Sequence, residues 1–156
     1  MQLPDYVLKH SIGVAEFMAE YAKTHPDCHL DPYQCYVVGL LHDIGKLYPP
    51  DPDAGNNKYK NHSLKGADLL AEMGFHNYKD VKHHGHPETG YFSHMWLILN
   101  LADLSINGKG KKVTIRARLK SIKDRYGKFS EEYERAKKMC QILYDKGIIR
   151  ENYRII

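Results

Sequence analysis

The chain carries ten histidines in 156 residues, and the company of a few of them bears on chemistry. His42 and Asp43 stand side by side inside the apolar run "VVGLLHDIGKL", with Lys46 three residues later. His10 falls in an apolar stripe between Val7 and Val14. Asp103 lies in "WLILNLADLSI", where nearly every neighbour is apolar, so a carboxylate there needs a cation or good hydrogen bonds. No Lys or Arg occurs between Lys82 and Lys109. Any cationic partner of Asp103 must come from elsewhere in the fold, and a metal would serve as well. His62 follows a long polar loop, and His83 and His84 sit together in "VKHHGHP". These donors are nitrogen and oxygen with no thiolate, a mix that suits iron, manganese, zinc or magnesium rather than a closed structural zinc site. The imidazoles disfavour a pure magnesium or calcium site.

Each donor has an ordinary alternative. A histidine beside an aspartate on a helix is more often a solvated pair than a ligand pair. A histidine in a core stripe is often satisfied by a carbonyl. His25, His29, His76 and His94 have no partner that the sequence names.

The elements that would position these groups read as helical nearly throughout. Val7, His10, Val14, Phe17 and Tyr21 recur at helical spacing from Asp5 to about Thr24. Asp31-Pro32 reads as an N-cap followed by proline at the first helical position, opening a second helix to about Tyr48. "PPDPDAGNNKYKN" is a loop, and "HSLKGADLLAEMG" a third helix stopping at Gly74. A short helix around "NYKDVKHHGH" and a buried one in "YFSHMWLILNLADLSI" follow. Two more start near Thr114 and Ser130, both good N-cap residues. Only the tail "GIIRENYRII" has strand character. The expected class is all-α, a compact bundle of six or seven helices in one domain over residues 1–156, with the site in about 5–107 and C-terminal helices over 113–147. On a continuous second helix, with His42 at 0°, Lys46 falls at about 40°, Gly39 at about 60° and Asp43 at about 100°. That is a polar strip opposite an apolar face.

Composition narrows the setting. The three cysteines form no CxxC pair, which fits a reduced, cytoplasmic thiol set. The longest near-apolar stretch is too short to cross a bilayer, and "MQLPDYVLKHS" has no secretory pattern. The net charge of +4 is unevenly placed, with eight Lys or Arg and one acid between Lys109 and Arg125. That run is either a solvated helix face or an anion-facing surface. A nucleic-acid partner is disfavoured, because no aromatics interleave with these charges before Tyr126.

In order and helical context, His10 in "KHSIGVAEF", His42-Asp43 in "LLHDIGK" and Asp103 in "LADLSI" resemble the signature of the HD-domain superfamily of metal-dependent phosphohydrolases. "NHSLKGADLLAEMG" and "VKHHGHP" are similar to segments that supply two further histidines in some members, which would be His62 and, by its flanks, His84 rather than His83. The resemblance implies a helical fold and a divalent cofactor of one or two ions. Iron or manganese comes first, with zinc, nickel, cobalt and magnesium admissible. It implies that His10, His42, Asp43 and Asp103 hold one ion, and that Asp43 bridges to a second held by His62 and His84. Asp43 and Lys46 would be catalytic, with Lys46 also touching a substrate phosphate and Lys58, Lys60 and Asn61 closing over it. The implied substrate is small and phosphorylated, of nucleotide type. Members with six such ligands include enzymes that split diadenosine tetraphosphate. "SINGKGKK" departs from their acidic-proline continuation, and "HHGHPETGY" does not reproduce the longer cyclic-di-GMP signature. A single-metal 5′-nucleotidase and a non-catalytic signalling module are the competing readings, and a homodimer is left open.

Overall fold

The computed structural model describes residues 3–50, 52, 55 and 57–153. Among them are seven α-helices and no strand: α1 (Asp5–Thr24), α2 (Pro32–Leu41), α3 (His62–Glu72), α4 (Tyr78–Lys82), α5 (His94–Asp103), α6 (Ile115–Tyr126) and α7 (Glu131–Asp145). The caps expected from sequence form. Asp31, Thr114 and Ser130 accept hydrogen bonds from the backbone N–H groups of Gln34, Ala117 and Tyr133, each satisfying a donor that the first turn leaves unpaired. Gly74 ends α3 with φ +76, a left-handed conformation that glycine adopts without penalty. The tail is turn and bend as far as Tyr153, with Ile148, Ile149 and Tyr153 packed on the core; residues 154–156 of the strand-like segment lie outside the described residues.

α5 carries apolar side chains on two faces because it is buried on both sides. Met95, Ile98, Leu99 and Ala102 pack with Val14, Met18, Cys35 and Val38 of α1 and α2. Trp96, Leu97 and Leu101 pack with Leu119, Tyr133, Met139 and Leu143 of α6 and α7. A fully buried side chain such as Leu99 contributes about 1.5–3 kcal/mol. All three cysteines are free. Among the described residues no helix is long and apolar enough to cross a membrane.

The second helix departs from expectation. It stops at Leu41, and the chain passes through a turn at His42-Asp43 into a 3₁₀ turn over Ile44–Leu47. The tighter turn lets Gly45 approach the start of α3. A Cβ on Gly45 would lie 1.7 Å from the His62 carbonyl oxygen and 2.8 Å from the Gly66 nitrogen. The angular strip drawn on a continuous helix is therefore corrected from Asp43 onward. His42 is wholly buried rather than facing water. Close approach also joins α1 to α2, where a Cβ on Gly39 would lie 2.7 Å from Ala15 Cα.

Gly45→Ala is expected to force the 3₁₀ turn and α3 apart and to cost about 1–3 kcal/mol of stability. A urea midpoint equal to that of the wild type would contradict this packing.

Candidate metal centre

Four imidazoles and two carboxylates meet where the C-terminal end of α2, the second turn of α1, the first turn of α3, the loop after α4 and the end of α5 come together. Asp43 lies at the middle. Its Oδ1 is 3.1 Å from His62 Nε2 and 3.4 Å from His84 Nε2. Its Oδ2 is 3.3 Å from His42 Nε2 and 3.9 Å from His10 Nε2. Asp103 Oδ1 is 2.8 Å from His10 Nε2 and 3.6 Å from His42 Nε2. The structure thus brings together all six side chains that the sequence picks out. It also separates the histidine doublet. His84 is buried in the cluster, whereas the His83 ring stacks on Tyr91 with centroids 4.5 Å apart.

Each imidazole is held from behind by a main-chain carbonyl. Nδ1 of His10 donates to the Asn107 oxygen (3.2 Å), that of His42 to Gly39 (2.6 Å), that of His62 to Tyr59 (2.8 Å) and that of His84 to Val81 (2.5 Å). Such a bond fixes the tautomer and turns the Nε2 lone pair toward the cluster. His10 owes its carbonyl to the "SINGKGKK" segment. Ile106 pairs with Lys112, and Gly110 packs on the Lys9 carbonyl, placing Asn107 against α1. Behind His84, Asn100 accepts a hydrogen bond from the Gly85 N–H (2.8 Å), and Trp96 Nε1 donates to the His83 carbonyl (2.8 Å). Buried Asp80 ties α4 to the start of α5 by accepting from Tyr91, Ser93 and Asn77.

The donors fit a divalent ion. His42 Nε2 is buried and has no hydrogen-bond partner among the described residues. His62 Nε2 and His84 Nε2 face each other at 3.2 Å, although each ring spends its Nδ1 on a carbonyl. Two lone pairs at that distance repel unless a cation or proton lies between them. Three triads could hold an ion: His10–His42–Asp43, His42–His84–Asp103 and Asp43–His62–His84. The edge of a coordination octahedron with bonds of about 2.1 Å is about 3 Å, close to most of the separations above.

Charge balance leads to the same demand. Burial opposes a charged His42, but Asp43 and Asp103 outweigh it and push the imidazole up to about 10. Burial likewise opposes ionisation of the two carboxyls, yet His42 and Lys46 hold Asp43, and His10 and His42 hold Asp103, well below the usual carboxylate range. Burial lowers His62, outweighing Asp43. Lys46 Nζ is 3.2 Å from Asp43 Oδ2 and 5.9 Å from the centre of the Tyr59 ring. Burial works against its charge, and Asp43 more than compensates.

The cluster opens into a cleft of about 340 Å³. Lys46, Lys58 and Lys60 line it, and Asn57 spans it to Glu132 Oε1 at 3.3 Å. Sequence reasoning did not single out the far wall, made by Arg118, Ile122 and Arg125 of α6 and Arg135, Ala136 and Met139 of α7. Their three-, four- and seven-residue spacing marks one face of each helix, a signal that was available.

Metal-free protein is expected to be most stable near pH 6.5. A raised His42 contributes stability that is complete below its unfolded value of 6.5 and lost as pH rises toward about 10, whereas the lowered His62 loses stability as pH falls below 6.5. A divalent ion needs the deprotonated rings, so the stabilisation it adds should grow from pH 6 to 8. Thermal melts with EDTA and with manganese check both slopes. A metal-free melting temperature that climbs from pH 6.5 to 9 would contradict the charge balance.

The family model described as "HD domain" matches residues 7–128, more than three-quarters of the chain. No curated protein and no solved structure gives a significant match. The match spans all six clustered side chains, and the chain belongs to the HD-domain family, whose members are generally metal-dependent hydrolases.

Proposed function

We propose that the protein is a metal-dependent phosphohydrolase that cleaves a phosphoester or phosphoanhydride bond in a nucleotide-type substrate. The observation that carries this reading is the convergence of four carbonyl-anchored imidazoles and two carboxylates at the floor of a cation-lined cleft. His10, His42, Asp43 and Asp103 would hold one ion, and His62 and His84, sharing Asp43, a second. The nitrogen and oxygen donors favour manganese or iron, with zinc, nickel, cobalt and magnesium as the alternatives. A bound divalent ion supplies Lewis acidity that activates water and offsets charge on the phosphoryl oxygens.

The chain's own residues do the positioning. The carbonyls of Gly39, Tyr59, Val81 and Asn107 keep the rings from turning away. Asp43 is acceptor-only, because its surroundings keep it ionised. Lys46, held charged by Asp43 and at the cleft wall, would be the cation placed to contact a substrate phosphate. Lys58 and Lys60 on the loop before α3 add positive charge around the opening. The intact cluster favours this reading over a non-catalytic signalling module.

Asp43→Ala is expected to remove most of the metal and all hydrolysis, while His62→Ala or His84→Ala removes one equivalent. Elemental analysis alongside a panel of mononucleotides, dinucleoside polyphosphates and cyclic dinucleotides tests this; turnover retained in Asp43→Ala would refute the scheme. Lys46→Ala should keep its metal and lower kcat/KM by roughly 10–100-fold, the loss of one charge-assisted hydrogen bond of about 1.5–3 kcal/mol. Unchanged kcat/KM would take Lys46 out of the site.

A further inference from the structure

The far wall of the cleft carries more positive charge than one scissile phosphate needs. Arg118 and Arg125 are seven residues apart, so their positions on α6 are separated by about 10 Å along the helix axis. Arg135 faces the same cleft from α7. Arg118 Nε donates to the Asp103 carbonyl at 3.3 Å, which puts this end of the row beside the metal-binding cluster. Among the described residues neither Arg118 nor Arg125 is paired with a carboxylate side chain; Arg125 rests against the Tyr126 ring, 5.4 Å from its centre. Arg135 is 3.6 Å from Glu131 and its charge also reaches Glu88, while Glu132, the acid on this wall of the cleft, accepts from Asn57. Ile122 and Met139 provide an apolar floor between the charges.

We infer that Arg125 and Arg135 form a second anion subsite, and that the substrate carries another phosphate away from the bond that is cleaved. This rests on the phosphohydrolase reading and narrows its substrate to a polyphosphorylated compound. The chemistry of the wall favours such a ligand. Guanidinium groups match phosphate oxygens in a planar fork, and a cleft with low-dielectric walls strengthens their field. The volume of about 340 Å³ is at the small end for ligand pockets, which run from about 300 to 1,000 Å³, and suits a compact ligand of high charge. The basic run between Lys109 and Arg125 is thereby divided. Arg118 and Arg125 face the cleft, whereas Lys120 and Lys123 are exposed on another face, Lys120 paired with Asp124 at 2.7 Å.

The test is calorimetric binding of inorganic triphosphate and orthophosphate to the full chain, as purified and after loading with manganese. Wild type is expected to bind triphosphate at least about tenfold more tightly than orthophosphate, a difference of about 1.4 kcal/mol. Arg125→Gln/Arg135→Gln should abolish most of that preference while retaining its metal content and helical circular dichroism. Lys120→Gln/Lys123→Gln, which removes the same charge from the other face, should keep the preference. Equal preference in the two double variants, or no preference in wild type, overturns the subsite. A nucleoside triphosphate in a parallel titration separates the two sources of the phosphate chain: tighter binding than inorganic triphosphate assigns a nucleotide, equal or weaker binding an inorganic polyphosphate. Hydrolysis of the nucleotide panel is followed separately, so triphosphate binding with no turnover of any panel member would overturn the enzymatic reading and leave the subsite standing.

Discussion

Four backbone carbonyls, each accepting from the Nδ1 of a buried or half-buried histidine, impose the constraint on which the site depends. A neutral imidazole has one donor and one acceptor. Spending the donor on the main chain leaves four Nε2 atoms facing inward, with the Asp43 and Asp103 carboxylates among them. Such an assembly is all acceptors and negative charge. In a buried setting it is costly unless positive charge enters it. The proton that Asp43 and Asp103 favour on His42 and the ammonium of Lys46 meet part of that demand, and a divalent ion held by these donors would meet more of it.

The helices serve this arrangement through close backbone approach. Gly39 lets α2 lie against Ala15, bringing the ends of α1 and α2 together so that His10 and His42 share Asp43 and Asp103. Gly45 does the same between the 3₁₀ turn and His62. α5 contributes in two ways. Its apolar surfaces join the two halves of the core, and its few polar side chains, Asn100 and Asp103, both point to the site or to the loop that holds His84. Ion binding to the folded state alone would add to stability by mass action, so fold and site are coupled thermodynamically as well as geometrically.

Much of this was legible in the sequence because it is local. Caps at Asp31, Thr114 and Ser130 depend on one side chain and the turn that follows, and each forms as expected. The unusual polar residues in apolar runs, His10, His42-Asp43 and Asp103, converge as their surroundings suggested. What escaped is non-local. Nothing in "LLHDIGKLY" tells that the helix tightens after Leu41, because the backbone approach that this turn permits, Gly45 against the start of α3, involves residues far along the chain. His84 rather than His83 is the choice that the flanking residues suggest, and the structure adds what turns His83 away, its stack on Tyr91 and the Trp96 bond to its carbonyl. The "SINGKGKK" segment supplies the carbonyl behind His10, a contact between residues nearly a hundred positions apart. The spacing of Arg118, Ile122 and Arg125 marks a common helix face, but the cleft that this face lines exists only with α7 packed beside it.

The central claim is that these side chains share a cation through their Nε2 and carboxylate oxygens. Its most direct measurement is a crystal structure of manganese-loaded protein with anomalous data collected at the manganese edge. A peak within about 2.0–2.3 Å of His10 Nε2, His42 Nε2 and oxygens of Asp43 and Asp103 is the predicted result. An anomalous map with no peak inside the cluster, or with manganese only on surface carboxylates, would contradict it.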